Sequence, residues 1–351
     1  MKKKLSLFLV LVLLVSVFAG CSGKGTDSDV DGNVDGGGEK KTKIAFLTDP
    51  VGTQVFLSNM VDALKDKEDE YNYETIVVEC PDTASFEENA RALMLEDVDF
   101  VIGSDWQAAD AIEMLADEYP DKADYAIIDT VIDKDNVKSI SFREQEGAYL
   151  IGVMAAMVTE EDDNLFGQVC VSQGPGSFKW RYGFAEGVKS LKPDAKFIFN
   201  YIGDYNDPAK AKEFAIQQYK QGASFINAAA AGGDQGVFEA ALENGFYTSG
   251  QDVDLTTPDN PYIVSCQIKD TYNTLSYLID KYFSDDWNTD NEVWGLSDGT
   301  IGAVHITHES DSPISDKLTE EDIKELKQVA EDIKSGKIDL TDMPNEEDYD
   351  M

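Results

Sequence analysis

Ala223-Ser-Phe-Ile-Asn-Ala-Ala-Ala-Ala231, Gly232-Gly-Asp-Gln-Gly236, Val237-Phe-Glu-Ala-Ala-Leu-Glu-Asn244 and Gly245-Phe-Tyr-Thr-Ser-Gly-Gln-Asp-Val-Asp254 follow one another without a break. They read as strand, glycine-rich turn, helix and strand. The first run is short, apolar and uninterrupted, as a strand buried on both faces of a parallel sheet is. Gly232 and Gly233 permit a sharp turn and a close backbone approach. Val237, Ala240 and Ala241 share one helical face, and Gly245 stops the helix. The second strand runs out into Asp252 and Asp254. In open α/β sheets ligands bind beyond the carboxyl ends of the strands, where the glycines and Asp252 lie. The turn is G-G-x-x-G, not the G-x-G-x-x-G of a dinucleotide fold, so it reads as a small-ligand site without a phosphate cradle.

The same alternation extends in both directions. Upstream, a strand ending at Asp49 precedes a loop with Pro50, Gly52 and Thr53 and a helix over 55–67. Strands are expected over 73–79, 100–103 and 125–129. Helices are expected over 85–96, with Ser85 as N-cap and Glu88 completing a capping box, and over 109–118. The pattern then restarts: extended residues 136–142, a glycine- and alanine-rich helix over 144–159, strand 165–171, loop 174–178, helix 179–191, strand 197–202 and helix 208–221. Strand 262–267, helix 271–283, strand 300–306 and helix 320–335 close the series. Strands alternating with helices give doubly wound parallel sheets, and 351 residues are enough for two cores. The expected lobes are 43–131 with 256–294 and 132–255 with 295–338, with the chain crossing near 130–133, 254–258 and 294–299. The acidic tail, 339–351, is expected to be disordered.

Lys2-Lys3-Lys4 precedes an apolar run from Leu5 to Phe18, shorter than the roughly 20 residues a membrane span needs. Ala19-Gly20-Cys21 then forms a small-residue cleavage site. A cysteine in that place is the pattern of a bacterial lipoprotein signal. Residues 1–20 are therefore expected to be removed, and Cys21 to carry lipid at the extracytoplasmic face of the cell membrane. Residues 21–42, rich in Gly, Asp and Ser, are expected to be a flexible tether. The net charge of −39 excludes nucleic acid as a partner, whose phosphates need a basic face. Cys80, Cys170 and Cys266 remain as an odd set in or at the end of apolar strands and read as buried thiols. His305 and His308 are the only histidines; with no third ligand in the motif they do not make a metal site. No cofactor motif is present.

Four motifs carry a family resemblance: Phe142-Arg-Glu-Gln-Glu-Gly-Ala-Tyr-Leu-Ile-Gly-Val-Met-Ala-Ala156, Gly183-Phe-Ala-Glu-Gly-Val-Lys189, Tyr201-Ile-Gly-Asp-Tyr-Asn-Asp-Pro-Ala-Lys-Ala-Lys-Glu213, and the turn at 231–241 with Gly250-Gln-Asp-Val-Asp254. Together, in this order, they resemble the basic membrane lipoprotein family, the purine nucleoside receptor class of ABC-transporter substrate-binding proteins. The resemblance spans residues 43–337. It implies a two-lobed periplasmic-binding-protein fold of type I with the ligand between the lobes. It further implies a membrane-anchored receptor that hands nucleosides to a permease. Matched position by position, it places Asp49, Phe56, Asp129, Gly232, Asp252 and Lys269 in the cleft, and Trp180 as the aromatic of the turn before Gly183. Leu57 stands where the family has the asparagine that helps read the base, and the first loop is one residue shorter.

A nucleoside offers a flat π-face and two vicinal hydroxyls. Phe56, Trp106, Phe178 and Trp180 are candidates to stack on the face. Asp252 is the candidate acceptor for the hydroxyls, with Lys269 pairing to orient it. Paired carboxylates near a sugar also occur in glycosidic hydrolases, but no nucleophile motif or well-placed histidine accompanies these. A monomeric binding protein without catalysis is the expectation, with a nucleoside as ligand and a sugar, nucleobase or flavin as the alternative.

Overall fold

The computed structural model describes residues 40–349, so the signal sequence, most of the tether and Cys21 lie outside the described residues. Among the described residues no helix is long and apolar enough to cross a membrane. In chain order come β1 (Lys43–Thr48), α1 (Val55–Tyr71), β2 (Glu74–Glu79), α2 (Thr83–Leu93), β3 (Phe100–Ser104), α3 (Ala109–Glu118), β4 (Asp124–Ile128) and β5 (Val137–Phe142). Then follow α4 (Glu144–Val158), β6 (Leu165–Cys170), α5 (Pro175–Leu191), β7 (Lys196–Tyr201), α6 (Pro208–Lys220), β8 (Phe225–Ala229), α7 (Asp234–Asn244) and β9 (Tyr247–Asp252). Last are β10 (Ile263–Lys269), α8 (Thr271–Tyr282), β11 (Glu292–Trp294), β12 (Ile301–Ala303) and α9 (Glu320–Lys334).

The strands form two sheets of six, ordered β11-β5-β4-β3-β1-β2 and β12-β10-β9-β8-β6-β7. Every pairing is parallel except β12 against β10. Parallel strands need both faces covered. In the first sheet, Ile44, Phe46, Phe100 and Ile102 pack on α1 and α8, while Ala45, Leu47, Val101 and Ile127 pack on α2 and α3. In the second, Phe166 and Phe225 meet α4, α5 and α9, while Val169, Ile226 and Cys266 meet α6 and α7. This is the expected α/β architecture of two doubly wound lobes. Cys80, Cys170 and Cys266 are buried free thiols.

Three segments differ from their sequence reading. Residues 136–142 do not open the second lobe: β5 pairs with β4 (Tyr125 opposite Val137) and belongs to the first sheet. The chain therefore first crosses between lobes at Arg143, not near 130–133. Residues 254–258 stay inside the second lobe, because β9 and β10 are neighbours there; the crossing comes at Asp270, between β10 and α8. The remaining crossing is at Gly295. Hydrophobic periodicity identifies a strand but not the sheet it joins. Secondly, Asp82 caps α2 and Ser85 occupies the third helical position, the two bonding reciprocally; the capping box starts three residues earlier than expected. Thirdly, residues 339–349, expected to be disordered, pack on α4 and α5. Leu340 is buried, Tyr349 meets Phe178 and Tyr182 edge-on, and Glu346 pairs with the buried Arg181.

α4 and α5 lie unusually close, and this sets the geometry of the site. A Cβ on Gly183 would sit 2.2 Å from the Gln145 carbonyl, and one on Gly187 would sit 2.2 Å from that of Tyr149. The small residues of both helices let the backbones touch. Glu144 at the start of α4 is thereby brought beside Lys179 in the first turns of α5.

Candidate ligand-binding cleft

The strands of both sheets point their carboxyl ends at one cavity of about 650 Å³. Asp49, Asp105 and Asp129 follow β1, β3 and β4. From the second sheet come the 171–177 segment after β6, Tyr205 after β7, Ala229 at the end of β8 with Ala231 just beyond it, Gln251 on β9 and Lys269 on β10. The crossing at Arg143 places Ser141 and Glu144 on the wall between them. Asp105 and Asp129 hold positive φ angles, of 62° and 75°. Asp105 combines its φ with a ψ of 172°, outside the left-handed helical well, and strain of this kind costs about 1–3 kcal/mol.

The floor is a chain of alternating charges. The Lys269 ammonium lies 2.9 Å from both oxygens of Asp129 and 3.3 Å from Glu144. The other Glu144 oxygen accepts from Lys179 at 2.9 Å, and Lys179 also donates to the Phe142 carbonyl at 2.6 Å. Because Asp129 belongs to the first sheet and Lys269 to the second, this ion pair joins the lobes. Burial pulls Lys269 down, but Asp129, Glu144 and Asp252 outweigh it and hold the ammonium above the ordinary lysine range. Burial raises the Asp129 carboxyl and Lys269 pulls it down, its ammonium equidistant from both oxygens in the geometry of an ion pair. Glu144 ends below its usual range, because Lys269 and Lys179 together overcome its burial. Phe56 lies 4.8 Å, Phe142 5.5 Å and Trp180 5.8 Å from the Lys269 nitrogen, so aromatic faces box the cation.

Of the residues singled out from sequence, Asp49, Phe56, Trp106, Asp129, Trp180 and Lys269 line this cavity. Phe178, Gly232 and Asp252 do not. Phe178 points to the far side of α5, against Tyr182 and Tyr349. Gly232 lies against a contact between the lobes: Thr53 donates to Asn206 at 2.7 Å, and a Cβ on Gly232 would be 2.6 Å from that same Asn206 oxygen. Asp252 lies behind the wall formed by Gln251, which donates to its Oδ2 at 3.1 Å; its Oδ1 is buried without a partner. Lys269 therefore bonds Asp129 and Glu144 instead of Asp252. Burial raises the Asp252 carboxyl, with Lys269 opposing.

Glu144, Asp105, Tyr205, Gln251 and Lys179 escaped the sequence reading. Glu144 looks like an ordinary acid in the first turn of a helix. Only the close approach of α5 and the end of β10 make it a bridge between two lysines. Asp105 did have a signal, since it follows β3 as Asp49 follows β1. Leu57 lines the cavity and is 2% exposed, an apolar surface at the place of the family's base-reading asparagine.

Residues 41–339 match the family described as "Bmp: ABC transporter substrate-binding protein PnrA-like". The chain is 30% identical over 252 residues to a CD4+ T-cell-stimulating antigen of Listeria innocua, covering 68% of each chain. It is 34% identical over 142 residues to the ABC transporter nucleoside-binding protein BmpA of Lactococcus lactis, covering 40% of each. In fold it is similar to an ABC transporter solute-binding protein from Aeropyrum pernix, with a TM-score of 0.73, 20% identity, and coverage of 85% of this chain and 92% of that one.

Proposed function

The chain belongs to the Bmp family of ABC transporter substrate-binding proteins, and on that premise we propose that it captures nucleosides and delivers them to a membrane permease. The observation that carries this reading is the composition of the interlobe cavity. Phe56, Trp106 and Trp180 supply flat apolar faces, and the strand-end carboxylates supply hydrogen-bond acceptors. The relative from Lactococcus lactis, named for nucleoside binding, points the same way. Stacking on aromatic faces is worth about 1–3 kcal/mol per base and is indifferent to the base edge. Asp252 is screened from the cavity by Gln251, so the acceptor assigned to a ribose hydroxyl is Asp129, which lines the cavity and whose carboxylate Lys269 holds in place. With Leu57 where the family reads the base, ribose recognition is strict and base recognition loose, purines being favoured by the larger stacking face.

The same reading places the protein outside the cytoplasmic membrane. It is held there by lipid on Cys21 and acts as a monomer with a small-molecule ligand and a permease as its partners. It performs no catalysis: the carboxylates of the floor are neutralised by lysines rather than poised as an acid and a nucleophile.

Calorimetric titration with guanosine, adenosine and uridine and with their 2′,3′-dideoxy forms tests this. The ribonucleosides bind the wild type, and the dideoxy forms lose roughly ten- to hundred-fold, as does Asp129→Asn with the ribonucleosides, corresponding to about 1.5–3 kcal/mol. Equal binding of the dideoxy forms removes Asp129 as the sugar clamp. Binding of a sugar or flavin but no nucleoside overturns the ligand class, and release of free base during incubation makes the protein an enzyme.

A further inference from the structure

The acids around the cavity fall into two groups. Asp129 and Glu144 are each held by lysine. Asp49 and Asp105 are not: among the described residues neither forms an ion pair, and Asp49 makes no side-chain hydrogen bond either. Asp105 accepts from the Trp106 backbone N–H at 2.5 Å and, across the cleft, from the Tyr205 hydroxyl at 3.4 Å. The two follow adjacent parallel strands, with Leu47 opposite Gly103, and both line the ligand cavity. One wall of the cleft thus carries two acids and no cation.

The groups facing this pair offer little relief. Beside Asp49, Glu79 at the end of β2 is turned to the Val51 backbone N–H and Cys80 is a buried thiol. Tyr205 arrives from the opposite lobe with a hydroxyl, itself held in the neutral form by burial and by Asp105. Lys269 acts on Asp105 from the floor, but it is shared with Asp129 and Glu144. Filling the cleft expels the water that solvates the pair, and a neutral ligand supplies no charge in its place.

We propose that the Asp49–Asp105 pair makes ligand capture proton-linked: an uncharged ligand enters together with one proton taken from solvent onto the pair, whereas a ligand whose ring carries a positive charge enters without it. This deepens the nucleoside reading and depends on it only for the choice of probes. Burial and the neighbouring Asp105 already push Asp49 up to about 7, and burial raises Asp105 as well, so the proton is exchanged near neutral pH. A filled cleft raises the pair further. Uptake of a proton means that affinity for a neutral ligand falls as pH rises.

The test is calorimetry on the full chain between pH 6 and pH 8.5, in buffers of different ionisation enthalpy. The probes are adenosine, which is neutral throughout, and nicotinamide riboside, whose ring charge is fixed. Adenosine affinity should fall about tenfold per pH unit above neutrality, with a buffer-dependent heat equal to one proton. Nicotinamide riboside should show neither effect. Asp49→Asn and Asp105→Asn should flatten the adenosine profile. A flat profile in the wild type, or one that persists in both variants, overturns the proposal. Carboxyl ¹³C titration by NMR on the ligand-free chain gives an arm independent of the ligand. A resonance titrating near neutrality should vanish in Asp49→Asn and move to lower pH in Asp105→Asn. Its absence refutes the pair outright, whereas its presence without binding of either nucleoside refutes the nucleoside reading alone.

Discussion

Replacing Lys269 with methionine tests the ion chain that joins the lobes. Lys269 is 6% exposed, and its partners Asp129 and Glu144 are 13% and 3% exposed. Glu144 would keep Lys179 at 2.9 Å, so the loss falls on Asp129, left buried with no cation. Breaking a buried pair by removing one member costs about 3–5 kcal/mol. At about 2–4 °C per kcal/mol, the figure for large domains, the melting temperature at pH 8.5 should drop by roughly 6–20 °C. The sign of the pH dependence follows from Asp129. Its folded-state pKa, already raised by burial, rises further without Lys269, so its ionised form opposes folding above that pKa and the penalty fades as pH falls through it. The deficit should therefore shrink markedly by pH 5.5. Asp129→Asn combined with Lys269→Met removes both charges and should recover most of the lost stability. Differential scanning calorimetry of the wild type, the single and the double variant measures all three. A single variant that melts within about 2 °C of wild type at pH 8.5, or a deficit constant across pH, would refute the reasoning.

Two further outcomes concern the helix contact and the anchor. Gly183→Ala drives a Cβ to 2.2 Å from the Gln145 carbonyl and should cost about 1–3 kcal/mol, whereas Gly176→Ala meets nothing within 4 Å and should be neutral or slightly stabilising; thermal melts that fail to separate the two variants would contradict the close contact of α4 and α5. Cys21→Ala should abolish labelling of the full chain by fatty acid and release the protein from the membrane fraction, and continued labelling would show that the anchor lies elsewhere.

Much of this fold is local in origin and was legible in the residues. Apolar runs such as Phe225–Ala229 and the helix stop at Gly245 each declare their structure within a few positions, although α7 starts at Asp234 inside the expected glycine turn, and the alternation along the chain determines two wound sheets. The strand-end rule also reached Asp49, Asp129 and Lys269 without coordinates, since a residue that ends a parallel strand ends at the cleft. What depended on the tertiary structure was every relation between distant segments. β5 is a strand by its own sequence, but it joins the first sheet because β4 offers it a free edge. Asp252 ends its strand as expected, yet Gln251 covers it and Lys269 turns to Asp129 and Glu144. Glu144 becomes part of the floor only because glycines in α4 and α5 let two backbones meet. Periodicity encodes which face of an element is buried; which neighbour covers that face, and which charge answers which, is settled by the packing of segments more than a hundred residues apart, where no local pattern records the partner.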